Sequence, residues 1–142
     1  MIEQSPLDGP ELYLCSGLPG FPGAHRFRLM PYGGTSGPFF RLLCLDRDLV
    51  FVVATPEVFF PDYAPQIDRA TADRLGIAAE SDAAVYVIVT VGSTPHEATA
   101  NLLGPIVVNR RNLEAAQVVL RGTEWDISTP LLARDPAPNA PV

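Results

Sequence analysis

Val85-Tyr-Val-Ile-Val-Thr-Val91 is the strongest strand signal in this chain. All seven residues are β-branched or aromatic, which is typical of a β-strand. Apolar side chains point to both of its faces, so this strand is expected in the interior of a barrel or sandwich. The segment therefore favours an all-β protein, with a barrel and a sandwich both open at this point.

Short strands are predicted on both sides of this segment. Eleven glycines and fifteen prolines divide the chain into short pieces, as in an all-β protein with many turns. Residues 39–45 and 49–54 flank the polar triplet Asp46-Arg-Asp48 and predict a hairpin. Pro105 predicts a bulge or an edge position. The other predicted strands are residues 11–15, 26–30, 98–103, 106–108 and 117–120.

One short helix is predicted near residues 68–76. Asp68 or Thr71 is a candidate N-cap, and Gly76 is placed like a C′ glycine. A helix of about two turns is marginal alone, so it is expected to pack on the sheet. A length of 142 residues predicts one domain, residues 1–132. Residues 133–142 are rich in proline and predict a disordered tail.

The sequence gives no membrane or export signal. Its longest apolar run, residues 49–54, is far shorter than the roughly 20 residues of a membrane span. No positive charge precedes Arg26, so a secretory n-region is missing. Two cysteines form neither a disulfide framework nor a metal quartet. These features predict a cytoplasmic domain with no membrane partner, and we expect it to be monomeric when unbound.

The charge distribution narrows the class of partner. A net charge of −6 disfavours nucleic acid as a direct partner. Between Asp46 and Asp82 eight acidic residues face three arginines, which accounts for −5 of that charge. Further on, Arg110, Arg111 and Arg121 make the chain locally basic. The acidic stretch is either an ordinary solvated face or a surface that repels nucleic acid and attracts a basic protein.

The residues that carry chemistry form no catalytic or metal-binding pattern. His25 and His96 lie in turn-like contexts without ligand spacing. Cys15 and Cys44 are expected to be small buried hydrophobic residues. The chain has no lysine and no phosphate-binding loop, and Asp46 and Asp48 are typical of a polar turn. We therefore expect a protein that is not an enzyme and has no catalytic residues, no metal and no cofactor.

The segment Pro56-Glu-Val-Phe-Phe-Pro-Asp-Tyr63 is the most distinctive of the chain. Its aromatic residues, fixed between two prolines, either cap the core or form a rigid apolar anchor with an acidic rim. The second interpretation makes this segment, with the acidic flank, a candidate protein-binding site. Its candidate residues are Phe59, Phe60, Pro61, Asp62, Tyr63 and Asp68.

Five motifs in one order resemble the flagellar assembly factor FliW family. They are Gly17-Leu-Pro-Gly-Phe21, the hairpin of residues 38–56, Phe59-Phe-Pro-Asp-Tyr63, residues 101–109 followed by 117–120, and Trp125-Asp-Ile-Ser-Thr-Pro-Leu131. The resemblance covers about residues 17–132. The chain departs from the family pattern at Leu43-Cys44, which replaces a more polar pair, and in residues 111–116, which lack the glycine common in that turn.

The resemblance implies a small antiparallel β-barrel that works by partner switching. FliW-like proteins bind the RNA-binding translational repressor CsrA and relieve the repression of flagellin messenger RNA. They also bind newly made flagellin, which competes with CsrA. An acidic domain fits such a basic partner.

Two other functions stay open from the sequence. A small-ligand carrier or an enzyme would use the barrel interior, although the large side chains of residues 49–54 and 85–91 indicate a filled interior. A protein of the same fold could also act only as a flagellin chaperone, without CsrA.

Overall fold

The computed structural model describes residues 9–32, 37–120 and 124–131. Those residues form a β-protein with one short helix, which confirms the predicted fold class. Short 3₁₀ turns cover Pro56–Val58, Glu80–Asp82 and Pro95–Glu97. The regular elements are β1 (Glu11–Leu14), β2 (Arg26–Pro31), β3 (Phe39–Cys44), β4 (Val50–Ala54), α1 (Arg69–Leu75), β5 (Ala83–Thr90), β6 (Thr99–Ala100), β7 (Ile106–Asn109), β8 (Glu114–Gln117) and β9 (Thr129–Pro130).

Seven strands close into a barrel in the order β4-β3-β2-β1-β8-β7-β5, and a β4–β5 ladder completes the ring. The neighbours are antiparallel except β1 and β8, which are parallel, with Tyr13 opposite Glu114. Strand β5 is long enough to pair with two different strands along one of its edges. Its first half pairs with β7, and its end pairs with the short β6, which in turn pairs with β9.

Alternation along the strands fills the barrel interior with apolar side chains. Phe27 and Leu12 are fully buried there, in the same cluster as Ile106 of β7. On β5 the even-numbered residues, such as Tyr86 and Ile88, face this interior. A barrel of this size has room for little besides its own side chains. The expectation of a filled interior is confirmed.

The outer face of one half of the barrel is buried as well. On β5 the odd-numbered residues, Val85, Val87 and Val89, belong to a second cluster that Tyr63 and Leu102 cover from outside. On β7 and β8 the outer face packs under α1. We call β4, β5, β7 and β8 the covered wall, and β1, β2 and β3 the open wall. The predicted burial on both faces is confirmed for residues 85–89, whereas Thr90 and Val91 are exposed.

Helix α1 begins and ends where its capping residues predict. The Asp68 carboxylate accepts a hydrogen bond from the backbone N–H of Thr71 at 2.9 Å, and Gly76 takes a left-handed φ of 75°. Leu75 is fully buried against Val107. The side-chain amide of Asn109 donates to the carbonyl of Leu75 at 2.7 Å and ties the helix end to β7.

Three strand predictions were wrong. The eighth strand is Glu114–Gln117 and not residues 117–120. Val118 and Leu120 still donate to the carbonyls of Pro105 and Leu103, but Pro105 has no N–H to donate in return and Leu103 donates to Asp126, so the regular ladder ends. The sixth strand has two residues. Asn101 still donates its N–H to Ile88 of β5, but its side-chain oxygen accepts the N–H groups of Leu103 and Gly104, where the chain turns away from the ladder. Pro105 makes no bulge or edge, because it precedes β7, which is paired on both sides.

Two further features from the sequence analysis are the burial of the two cysteines, which is confirmed for one of them, and the turn in residues 111–116. Cys44 is buried, as predicted, whereas Cys15 is exposed because it follows the last inward residue of β1. The turn that lacks glycine places Leu113 at φ 66°, a left-handed conformation that costs a non-glycine residue about 1 kcal/mol or more. The division into residues 1–132 and a tail stays a prediction, and the tail lies outside the described residues.

Candidate protein-binding site

The aromatic segment leaves β4 through a proline-fixed turn. Pro56 starts the turn Pro56–Val58, and its carbonyl accepts the N–H groups of Phe59 and Phe60 at 3.0 and 2.8 Å. The carbonyl of Phe60 then accepts the N–H of Tyr63 at 2.9 Å. Successive backbone hydrogen bonds and two prolines fix the path of this segment, so its side chains have little conformational entropy to lose.

Tyr63 belongs to the core. Its hydroxyl donates to the carbonyl of Leu102 at 2.6 Å, and its ring meets Trp125 edge to face at 4.9 Å between centroids. Burial raises the pKa of the Tyr63 hydroxyl well above its usual range. For this residue the structure supports the core-cap interpretation, because a partner cannot reach a side chain that is 7% exposed.

The other five candidate residues remain within reach of a partner. Pro61 and Asp62 are exposed, and Phe59 and Phe60 are half-buried. Asp68 is exposed and caps the N-terminus of α1. Hydrogen bonds from the side chain and backbone of Thr71 lower the pKa of the Asp68 carboxyl. The interface role of these residues stays a prediction.

An apolar groove borders Phe59 on the outside of the barrel. Its volume is about 410 Å³, and it lies where the outer core of the covered wall stops at β3. Phe59 packs on Phe39, with 5.4 Å between ring centroids. The groove is lined mainly by Tyr32, Phe39, Val52, Phe59, Val89 and Val91. Sequence reasoning missed it, because these residues come from four separate segments that only the closed barrel brings together.

The rim of the groove carries both signs of charge. On one side, Glu97 packs against Gly92 so closely that a Cβ on Gly92 would collide with it, and its carboxylate accepts the N–H of Ser93 at 2.7 Å. On the other side, Arg41 lies over the Tyr32 ring, with its guanidinium carbon 6.0 Å from the ring centre.

The acidic stretch is divided between two ends of the β3–β4 hairpin. Asp46 lies in the hairpin turn, where the backbone N–H groups of Arg26 and His25 donate to its carboxylate at 2.8 and 3.0 Å and lower its pKa to about 2. Asp48 lies in the same turn, Glu57 follows the far end of β4, and the other five acidic residues come later in the chain. Asp62 is thus separated from Asp46 by the length of a strand.

The comparisons with known proteins decide the family. A family profile described as FliW protein matches residues 3–131. The chain belongs to the FliW family. It is 39% identical to a flagellar assembly factor FliW of Bacillus licheniformis over 117 residues, which is 82% of this chain and 81% of the relative. A Bacillus subtilis relative with the same description is 38% identical over the same shares.

A solved structure agrees with this assignment. The crystal structure of a flagellar assembly factor FliW superposes with a TM-score of 0.83 at 32% identity, and covers 94% of this chain and 92% of its own. The resemblance predicted from five motifs is confirmed, and this FliW family chain is assigned to the flagellar assembly factors. Its relatives are described as assembly factors, with no reaction in that description.

The histidines of the FliW barrel and its potential metal ligands do not cluster among the residues that the structure describes. Across the described residues, no three His, Cys, Asp or Glu side chains converge as metal ligands. His25 is half-buried and its Nδ1 lies 2.9 Å from the carbonyl of Leu14, while His96 is exposed in another turn. In the described parts of the chain, no helix is long and apolar enough to cross a membrane.

Proposed function

We propose that this protein regulates flagellin synthesis by partner switching, without catalysis. It binds the RNA-binding repressor CsrA and so relieves repression of flagellin messenger RNA. Newly made flagellin competes for it and releases CsrA to repress again. Translation takes place in the cytoplasm, so we place the protein there. The observation that carries this proposal is the match of residues 3–131 to the FliW family of flagellar assembly factors.

The charge of the molecule supports a basic protein partner over RNA. Seven of the eight acidic residues between Asp46 and Asp82 are exposed, and only Asp82 is partly covered. An RNA-binding repressor needs a positive surface to follow phosphates, and such a surface is attracted by carboxylates. RNA itself is repelled by a net charge of −6.

Titration calorimetry with purified CsrA and flagellin tests the proposal. We expect each protein to bind alone, and flagellin to displace CsrA from a preformed complex. The isolated protein should not bind flagellin leader RNA at moderate salt. Absence of binding to both proteins, or submicromolar RNA binding by the protein alone, would refute the proposal.

Asp62 is the residue with which to test the predicted site. Asp62→Arg reverses an exposed charge in the aromatic segment and should slow association with CsrA most strongly at low salt, because rim charges act on encounter. Asp48→Arg is the matched control, since Asp48 is exposed in the hairpin turn at the far end of β3 and β4. Equal effects of the two variants would show only an effect of net charge.

The alternative function, a small-ligand carrier or an enzyme, could not use the barrel interior. The interior is filled by Phe27, Leu42 and their neighbours, so a carrier or an enzyme would have to use the groove beside Phe59. Saturable binding of a small apolar dye, blocked by Val91→Glu and without any affinity for flagellin or CsrA, would favour that alternative.

A further inference from the structure

The exterior groove has the form of a site for side chains of another protein. Its volume of about 410 Å³ lies within the range of roughly 300–1,000 Å³ typical of ligand sites. It opens outward at two exposed apolar residues, Tyr32 and Val91, which are 46% and 60% accessible. Burying such a surface is favourable, and a surface that is open along one side suits a protein segment better than an enclosed small molecule.

Arg41 adds one specific polar feature at this groove. It lies directly opposite Val52 in the β3–β4 ladder and therefore on the same outer face. Its Nε is buried and has no hydrogen-bond acceptor within the residues that the structure describes. Because Nε itself is covered, a partner meets the accessible part of this half-buried side chain, and a carboxylate is the acceptor that pairs best with a guanidinium.

We propose that the groove binds an apolar segment of unassembled flagellin that carries a carboxylate, with its apolar side chains between Phe59 and Val91 and its carboxylate at Arg41. This inference rests on the proposed function and adds to it the place and the chemistry of one of the two contacts. CsrA is then left to the exposed carboxylates on the side of Asp62. Because Asp62 lies only three residues after Phe59 of the groove, binding of one partner excludes the other.

The chemistry of the two partners favours this division. A filament subunit buries a large apolar interface in the polymer and exposes it before assembly, since permanent interfaces are the most apolar ones. An RNA-binding repressor presents basic residues, which would meet Arg41 as a like charge. The rim also carries Glu97, whose carboxylate already accepts the N–H of Ser93, so the apolar lining together with Arg41 fits flagellin better than CsrA.

Val91→Glu tests the apolar part of the groove. It adds a charge at an exposed position and should reduce the affinity for flagellin at least tenfold, while the affinity for CsrA is unchanged. Val50→Glu is the matched control, since Val50 is also exposed, at 53%, and lies on β4 outside the groove. Thermal unfolding of both variants verifies the fold, and calorimetry against purified flagellin and CsrA gives the affinities.

Arg41→Gln tests the carboxylate. It should reduce the affinity for flagellin several-fold and make it less dependent on salt, because one ion pair is lost. Arg69→Gln removes the same charge from an exposed position at the start of α1 and should change neither quantity. A salt dependence equal to that of the unmodified protein would overturn the carboxylate assignment.

The results separate the groove from the proposed function. If the unmodified protein binds flagellin and Val91→Glu binds it equally well, the groove assignment is wrong and the proposed function stands. If Val91→Glu weakens CsrA and spares flagellin, the choice of partner is wrong. If the unmodified protein does not bind flagellin, the flagellin part of the proposed function fails and the groove assignment fails with it.

Discussion

The outward side chains of β1 and β2 include Tyr13 and Arg28, whereas those of β5 and β7 include Val87 and Val107. Both pairs of strands line the same interior. On the open wall the outer face meets water and is held by contacts such as the Arg28–Glu11 ion pair at 3.6 Å. On the covered wall the outer face has a second core. The stability of this barrel is thus unevenly distributed, and the groove lies where the second core ends.

The largest effect on the free energy of unfolding is expected from helix α1, which covers β7 and β8. Leu75→Ala removes the fully buried anchor of α1 and should lower the free energy of unfolding by about 2–5 kcal/mol. Tyr13→Ala, at a half-exposed outward position of β1, should cost about 1 kcal/mol or less. Urea unfolding of both variants measures the difference. Equal losses would mean that the two walls are stabilised to the same degree.

A smaller effect is expected from the hydroxyl of Tyr63. Tyr63→Phe keeps the ring against Trp125 but leaves the buried carbonyl of Leu102 without its donor, at a cost of about 1–3 kcal/mol. Tyr86→Phe is the control, since Tyr86 lies on the interior side of β5. Affinity for flagellin and CsrA should stay unchanged in Tyr63→Phe, and a loss of affinity without loss of stability would make Tyr63 an interface residue after all.

The smallest effect is expected at the hairpin turn of the open wall, and it depends on pH. Folding lowers the pKa of Asp46 from 3.8 to about 2, so its carboxylate stabilises the folded state above pH 4 and loses this contribution as the pH falls toward 2. Asp46→Asn should flatten the dependence of unfolding free energy on pH in that window. Asp48→Asn, in the same turn, should keep the slope. An unchanged slope in Asp46→Asn would contradict the prediction.

Local patterns predicted the elements that local physics controls. The caps Asp68 and Gly76 marked both ends of α1, because each satisfies backbone groups within one turn. The unbroken apolar run of β5 predicted burial on both faces, because its alternate residues enter two different cores. The alternation of Arg26, Phe27 and Arg28 is typical of a strand with one solvent-facing side, and that side lies on the open wall.

Elements that depend on distant partners could not be predicted. The strand β8 was displaced by three residues, because Glu114 and Ala115 pair with β1 at the other end of the chain. From the sequence, Tyr63 could not be distinguished as a core residue from the other candidate site residues. Its role depends on a hydrogen bond to the carbonyl of Leu102, 39 positions later in the chain. The sequence did not predict the groove either, because its lining residues come from separate segments of the chain. Of the six residues of the predicted site, only Phe59 lines the groove.

The parallel pairing of β1 with β8 has a consequence for how the molecule is made. Tyr13 of β1 can pair only when Glu114 of β8 is present. Closing a loop of this length costs conformational entropy and slows folding. On the ribosome the first strands can form their hairpins early, but the ring cannot shut before β8 has emerged. Leu131 also lines the groove. In a nascent copy of this chain, the groove proposed for flagellin is therefore complete only after residue 131 has emerged.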